Sequence, residues 1–240
     1  MSGSVVSPEL RARVRGLALP IALAFGRMGL TPNALTLLGF GISVVAAIAA
    51  SQQAWIPAGL LVIFGGVFDL FDGALARATN TVSRLGAFLD SVFDRAGEAV
   101  LYLGIAMGSL AGQFELGAIL AVAAMGASFM VSYTRAKSES LGFTPGTGMA
   151  SVGVAPREVR LVLLTLGLLM TGALGGVQLS TLLLDLVDGF WNAGRPVLAA
   201  TLGLIAVLAT ITTIQRIIHV TRQTPPESLS AATPGGDQHP

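Results

Sequence analysis

Long apolar stretches make up most of the chain, and short segments that contain polar residues, glycine or proline separate them. Six of these stretches have roughly the 20 residues that a helix needs to cross ~30 Å of hydrocarbon. They cover residues 33–51, 55–78, 85–111, 116–140, 156–175 and 195–222. The connections at 52–54 and 112–115 are short enough to join antiparallel neighbours. This pattern predicts an all-α integral membrane protein with six transmembrane helices.

The segment before the first apolar stretch has a different pattern. Leu10, Val14, Leu17 and Ile21 recur at helical spacing, and arginines lie between them. Such a helix can lie in the membrane interface with its cations facing the headgroups. A secretory signal is the alternative, because residues 17–26 are apolar. The expected parts are an N-terminal interfacial amphipathic helix segment, a transmembrane domain and a disordered tail rich in proline and glycine, over residues 1–32, 33–222 and 223–240.

Cations are distributed unevenly between the two sides of this arrangement. One side carries Arg11, Arg13, Arg15, Arg27, Arg77, Arg84, Arg135, Lys137, Arg157, Arg160, Arg216 and Arg222, and the other has Arg195. Cytoplasmic loops carry the excess of lysine and arginine, so the crowded side is expected to be cytoplasmic. Six spans return both termini to that side. We therefore expect a multi-pass protein of the cytoplasmic membrane with both termini in the cytoplasm.

Composition agrees with this class and excludes others. Hydrophobic residues make up 53% of the chain and charged residues 11%, whereas soluble domains have about 25% charged residues. The formal net charge of +1 offers no broad cationic surface for nucleic acid. The absence of cysteine excludes disulfides, thiolate nucleophiles and cysteine-ligated metals. Any metal ion must therefore be held mainly by oxygen ligands.

Acidic residues are concentrated at the end of the second apolar stretch and the start of the third, at Asp69, Asp72, Asp90, Asp94 and Glu98. Ionisable groups at membrane depth are costly, so they usually face a protein interior or a watery cavity and mark function. Helical spacing puts Asp69 and Asp72 on one face of their span, and Asp90 and Asp94 one turn apart on the next. The short connection between the spans should bring the two pairs together at the cytoplasmic end.

Four neighbouring carboxylates require counter-charge, and divalent cations can supply it. Histidine occurs only at positions 219 and 239, so an oxygen-rich site favours Mg²⁺ or Mn²⁺. Two such ions would suit phosphoryl transfer. A divalent-cation transporter is the alternative from a different class. It is disfavoured because the acids cluster at one membrane face instead of forming a ladder across the bilayer.

The spacing of the acids also carries a family resemblance. Residues 69–94 match D-x2-D-G-x2-A-R-x8-G-x3-D-x3-D in every fixed position. This resembles the signature of the CDP-alcohol phosphatidyltransferases, and Thr31-Pro32-Asn33 followed by Thr36 is similar to the start of that family's first span. The resemblance implies transfer of a phosphatidyl-type group from a CDP-activated lipid, CDP-diacylglycerol or CDP-archaeol, to an alcohol. CMP is released, and the enzyme is expected to be a homodimer.

The same resemblance assigns roles to the signature residues. The ligands of two Mg²⁺ or Mn²⁺ ions would be Asp69, Asp72, Asp90 and Asp94, and Asp94 would also take the proton from the attacking hydroxyl. The residues bordering the CDP moiety would be Gly73, Ala76, Arg77 and Gly86, with Arg77 meeting the phosphates. The small residues leave room for a bulky ligand, although small residues also serve tight helix packing in membranes.

Polar residues at the cytoplasmic ends of the last three spans predict a pocket for a phosphorylated polyol acceptor. They are Ser132, Arg135, Arg157, Arg160 and Arg216. Positive-inside anchoring is the alternative role for these arginines. The pattern resembles the inositol-phosphate branch of the family, which implies inositol 1-phosphate as the acceptor. Residues 156–160 keep both arginines of that branch's Glu-Arg-x-Glu-Arg stretch but neither matching glutamate. Glycerol 3-phosphate or another polar alcohol therefore remains an alternative acceptor.

Overall fold

The computed structural model describes residues 8–143, 152–175, 178–179 and 191–223. Its helices are α1 (Pro8–Arg27), α2 (Pro32–Ser51), α3 (Trp55–Ala78), α4 (Arg84–Ala111), α5 (Glu115–Ser140), α6 (Arg157–Leu174) and α7 (Gly194–Thr221). The all-α prediction is confirmed apart from two strands of two residues each, β1 (Gln178–Leu179) and β2 (Trp191–Asn192), which pair antiparallel between α6 and α7. The predicted disordered tail lies outside the described residues from position 224 onward.

Each of the six predicted spans coincides with one of the helices α2 to α7, and every boundary agrees to within one residue. Four helices, α2, α3, α5 and α7, are long and apolar enough to cross a membrane by length and composition. Helices α4 and α6 have 28 and 18 residues, but their first turns carry charged side chains. The structure is therefore that of a helical membrane protein, and whether α4 and α6 also cross the bilayer remains a prediction.

Local signals explain where the site-bearing helices begin and how the chain reverses. The Thr31 side chain caps α2 by accepting a hydrogen bond from the Ala34 N–H, and Ser83 caps α4 through the Gly86 N–H. Between α3 and α4, Asn80 has a φ of 54°, a left-handed conformation that asparagine tolerates better than most residues. The chain therefore turns back within the few residues between Ala78 and Arg84.

Six helices form a closed circuit. In spatial order, α2, α3, α6, α7, α5 and α4 each contact the next, and α4 closes the circuit on α2. The buried core includes Leu101, Tyr102, Ile105, Leu164, Leu168, Leu198, Leu202 and Ile205. Close helix contact depends on small residues, because a side chain at Gly104 or Gly108 would collide with the α2 backbone at Ala47 or Ala50.

Helix α1 lies outside the circuit and contacts α3. Ala18 and Ala22 on its second half are buried in a cluster with Leu35, Phe71 and Leu75. Cleavage within this helix would remove part of that cluster, which argues against the secretory-signal alternative. The position of α1 in the membrane interface remains a prediction.

Candidate active site

The four signature aspartates lie at one end of the helix circuit, where α3 ends and α4 begins; we call this the site end. Asp69 and Asp72 are on the last turns of α3, and Asp90 and Asp94 are on the second and third turns of α4. The predicted convergence of the two pairs follows from the tight turn between these helices. Asp72 is buried, and the other three aspartates are partly buried.

Arg157, at the first position of α6, bridges two of these aspartates. Its Nη1 lies 2.8 Å from Asp94 Oδ2, and its Nη2 lies 3.1 Å from Asp69 Oδ2. The Nε atom of Arg157 is buried and has no hydrogen-bond partner among the described residues. One guanidinium therefore joins α6 to both α3 and α4, and a residue predicted to bind the acceptor lies against the predicted metal ligands.

The chemistry of the donor set fits a hard divalent cation, because four carboxylates converge on one end and no thiolate is present. Within the part of the chain that the structure describes, however, no three carboxylate or histidine side chains form a ready-made metal site. Arg157 instead supplies positive charge between Asp69 and Asp94. An ion held by both of these carboxylates would take the place of the guanidinium.

A hydrogen bond from a neighbouring helix holds the most buried aspartate. Thr36 Oγ1 on α2 donates to Asp72 Oδ2 over 2.7 Å. Gly39, one turn further along α2, lies close to Asp69, since a Cβ at this position would be 3.3 Å from Asp69 Oδ1. Sequence reasoning noted Thr36 only within the start of the first span and did not identify Gly39. No local sequence signal could have revealed these contacts, because they depend on how α2 packs against α3.

The fifth clustered acid, Glu98, is paired with Arg160. Arg160 Nε and Nη2 lie 3.1 and 3.0 Å from the two carboxylate oxygens of Glu98, and Nη1 donates to the Ala155 carbonyl over 3.1 Å. Arg160 is only 1% exposed. Arg160, which was predicted to bind the acceptor, therefore forms a buried ion pair that joins α4 to the start of α6.

The other predicted acceptor residues lie at the same end but are not gathered around one point. Arg216 is buried, donates from Nε to the Val152 carbonyl over 3.0 Å, and donates from Nη1 to the Val131 carbonyl. Arg135 is exposed and forms a 2.9 Å ion pair with Glu139, one turn away on α5. Ser132 is partly buried on α5. Of the five predicted residues, the structure brings Arg157 into direct contact with the aspartates.

The predicted CDP-binding residues are distributed along the end of α3 and the start of α4. The Arg77 guanidinium lies over Gly73, where a Cβ would be 3.1 Å from Nη1. At Gly86 a Cβ would face Ser83 Oγ at 3.1 Å and Asn33 Oδ1 at 3.4 Å. Neither glycine packs against another helix backbone as Gly104 and Gly108 do, which favours ligand approach over tight helix packing.

Two spaces lie at the site end, and aspartates line the smaller one. A cavity of about 30 Å³ between α2, α3, α4 and α6 is lined by Thr36, Gly39, Ser43, Asp69, Asp94 and Arg157, among others. That volume accommodates about two water molecules. A groove of about 440 Å³ lies between the end of α1, the start of α2 and the end of α3. Its polar lining includes Arg27, Thr31, Thr79 and Thr81. The larger space thus borders the signature segment.

Known proteins are similar to this chain in sequence and in fold. The CDP-alcohol phosphatidyltransferase family model matches residues 29–191. Archaetidylinositol phosphate synthase of Pyrococcus horikoshii is 34% identical over 175 residues, which cover 73% of this chain and 88% of that protein.

Solved structures of a related enzyme have a similar fold. The crystal structure of Mycobacterium tuberculosis phosphatidylinositol phosphate synthase with CDP-DAG bound has a TM-score of 0.69 and 26% identity, covering 92% of this chain and 98% of that chain. The same enzyme in complex with manganese and citrate has a TM-score of 0.68 and 28% identity, covering 85% and 88% of the two chains. With the family model spanning well over half of the sequence and the full signature at the site end, this protein is a member of the CDP-alcohol phosphatidyltransferase family.

Proposed function

We propose that this enzyme transfers a phosphatidyl-type group from a CDP-activated lipid to inositol 1-phosphate and releases CMP. The observation that carries the proposal is the complete signature of residues 69–94, with Arg157 in direct contact with two of its aspartates. The names of the relatives, an archaetidylinositol phosphate synthase and a phosphatidylinositol phosphate synthase, support an inositol phosphate acceptor. The donor is CDP-diacylglycerol or CDP-archaeol, which differ in the linkage of the lipid tails.

The metal ligands are Asp69, Asp72, Asp90 and Asp94, and the ions are two Mg²⁺ or Mn²⁺. When bound, these ions neutralise phosphate oxygens and stabilise the charge that develops on the leaving group. The manganese in a related structure supports this choice of ion. The donor's nucleotide lies along Gly73, Ala76, Arg77 and Gly86, and the groove lined by Leu75 and Thr79 borders the same segment of the chain.

The reaction is a substitution at phosphorus. An acceptor hydroxyl attacks the phosphorus that bears the lipid, a new P–O bond forms, and the P–O bond to CMP breaks. Asp94 accepts the proton of the attacking hydroxyl. A base must lie within hydrogen-bond reach of that proton. Arg157, the proposed ligand of the acceptor phosphate, lies 2.8 Å from Asp94 in the structure, which supports placing the acceptor next to this carboxylate. An acceptor held through its phosphate by Arg157 would have its hydroxyls beside the base.

Arg157 changes partners during this cycle. Without metal it balances the charges of Asp69 and Asp94. Cations held by the same carboxylates would supply this positive charge and would repel the guanidinium. The released arginine can then form a charge-assisted contact with the acceptor phosphate.

The remaining predicted acceptor residues divide into two groups. Ser132, which is partly buried, and the exposed Arg135 are the first group, and they would contact the acceptor from α5. Arg160 and Arg216 have their donors engaged with Glu98 and with backbone carbonyls. Arg160 can reach an acceptor only if those contacts break. The two contacts of Arg216 use Nε and Nη1 and do not involve Nη2.

The proposed setting is the cytoplasmic membrane, with six spans, α1 in the interface, both termini and the site end in the cytoplasm, and two copies in a homodimer. The distribution of cations supports the orientation. Arg195 is at the opposite end, where its Nη2 donates to the Gly112 carbonyl over 2.6 Å and its guanidinium lies 5.9 Å from the Phe114 ring centroid.

CMP release by the purified protein tests the activity. CDP-diacylglycerol should give CMP with inositol 1-phosphate, and much less with glycerol 3-phosphate or free inositol. Preference for glycerol 3-phosphate would keep the phosphatidyltransferase chemistry and change the acceptor. No CMP release with any phosphorylated polyol would contradict the proposed function.

A further inference from the structure

Helix α2 carries none of the signature aspartates, yet it packs against both helices that do. Thr36 and Gly39 lie about one turn apart on its site end. Thr36 is 7% exposed and Asp72 is 6% exposed, and the 2.7 Å hydrogen bond between them joins α2 to α3. A hydrogen bond between two buried groups is stronger than one in water, because the surroundings have a low dielectric constant.

The single hydroxyl proton of Thr36 has two acceptors within reach. One is Asp72 Oδ2 at 2.7 Å, and the other is the Pro32 carbonyl at 3.2 Å. The shorter contact and the negative charge of a carboxylate favour donation to Asp72. Donation to one oxygen restrains rotation of the carboxylate before any ion binds.

Gly39 affects the other aspartate of α3. A Cβ at position 39 would be 3.3 Å from Asp69 Oδ1 and 3.5 Å from Phe68 Cβ. The contact with Asp69 Oδ1 is tighter than an ordinary van der Waals contact, so a methyl group at position 39 would displace the carboxylate by a few tenths of an ångström. Because Gly39 has no side chain, Asp69 Oδ1 can lie close to α2 without being crowded.

We propose that α2 positions the metal ligands of α3, with Thr36 orienting Asp72 and Gly39 leaving the space for Asp69. Thr36 and Gly39 are positioning residues that act through the two aspartates. The inference rests on the proposed function, in which these aspartates bind Mg²⁺ or Mn²⁺. Groups that orient metal ligands typically affect metal affinity or activity by about 10- to 100-fold.

Mn²⁺ affinity in detergent, without substrates, is the direct test, and the free ion is measured by electron paramagnetic resonance. Thr36→Val keeps the side-chain shape and removes the hydroxyl, so the Kd for Mn²⁺ should rise about 10- to 100-fold. Thr36→Ser keeps the donor and should stay within about threefold of wild type. A role of Thr36 in packing alone predicts the reverse order, because serine loses the methyl group and valine does not.

Gly39→Ala has a matched control on the same helix. Gly41 is exposed, and a Cβ there would have no neighbour within 4 Å. Both changes replace glycine with a better helix former, so their shared effect on α2 cancels. Gly39→Ala should weaken Mn²⁺ binding by about 3- to 10-fold, and Gly41→Ala should bind like wild type.

Asp72→Asn separates failure of the inference from failure of the proposed function. If wild type binds no Mn²⁺, or Asp72→Asn binds it as well as wild type, the proposed metal site is wrong and the inference fails with it. If Asp72→Asn loses Mn²⁺ while Thr36→Val and Gly39→Ala bind normally, positioning by α2 is refuted and the metal site stands. If Thr36→Val does not fold, the other two variants test the proposal. Normal Mn²⁺ binding by Gly39→Ala, or weakened Mn²⁺ binding by Thr36→Ser, would overturn it.

Discussion

Neutralising Arg157 should have opposite effects on the two kinds of ligand proposed for this site, the metal ions and the acceptor phosphate. Its guanidinium contacts Asp69 and Asp94 at 3.1 and 2.8 Å, where the proposed metal ions would also be bound. In Arg157→Gln the competing positive charge is gone and the carboxylates lose their counter-ion. Metal binding should therefore become tighter. Binding of the acceptor phosphate should become weaker, because the freed arginine is its proposed partner.

The size of each effect follows from burial and charge. The side chains of Arg157, Asp69 and Asp94 are 30%, 26% and 15% exposed, so solvent only partly screens their ion pairs. If displacing the guanidinium costs about 1–2 kcal/mol, between a surface and a buried pair, its removal tightens Mn²⁺ binding by roughly 5- to 30-fold. A lost charge-assisted contact of about 1.5–3 kcal/mol raises the KM for inositol 1-phosphate by about 10- to 150-fold.

Two measurements on the same preparation give both effects, namely Mn²⁺ titration without substrates and CMP release over a range of inositol 1-phosphate concentrations. Arg222→Gln is the matched control, because it removes the same formal charge from an exposed residue just after α7. It should change neither quantity by more than about twofold. Unchanged or weaker Mn²⁺ binding in Arg157→Gln would show that the arginine does not compete with metal. An unchanged acceptor KM would remove Arg157 from the acceptor pocket.

Three further predictions concern the base, the metal and the buried ion pair. Asp94→Asn should reduce the rate of CMP release by at least ~10²-fold, the scale of general-base catalysis; a rate within a few-fold of wild type, in a folded variant, would rule out this role. A chelator in excess should abolish CMP release and Mg²⁺ or Mn²⁺ should restore it, whereas full turnover in chelator would contradict the two-metal assignment. Glu98→Gln leaves the charge of Arg160 buried and unpaired, so the free energy of unfolding should fall by about 3–5 kcal/mol. Thermal unfolding in detergent measures this, exposed Glu115→Gln is the control, and equal melting temperatures would refute the argument.

Features governed by neighbouring residues could be predicted from the sequence. The six apolar stretches correspond to α2 to α7 because length, composition and local caps such as Thr31 and Ser83 determine where these helices begin and end. The shared location of the four aspartates could also be predicted, since helical spacing and a short turn fix it. The pairing of β1 with β2 was not predicted, because two-residue strands have no periodicity to detect.

The partner of each arginine could not be predicted, because it depends on which helices are neighbours. The apolar stretches have similar compositions, so the sequence pattern does not show that α6 lies between α3 and α7. Arg157 and Arg160 are three residues apart and received the same predicted role. In the structure the first contacts Asp69 and Asp94, whereas the second pairs with Glu98. The contacts of Thr36 and Gly39 were missed for the same reason.

The different surroundings of these two arginines determine which of them can change partners. Arg160 uses three donor nitrogens in nearly ideal contacts and is fully buried, so separating it from Glu98 would leave two uncompensated charges at a large cost. Arg157 is partly exposed, and its Nε has no partner among the described residues. A metal ion can also replace its charge at the aspartates. Since Arg160 fixes the start of α6, it would keep Arg157 within reach of the site during the proposed exchange of the aspartates for the acceptor phosphate.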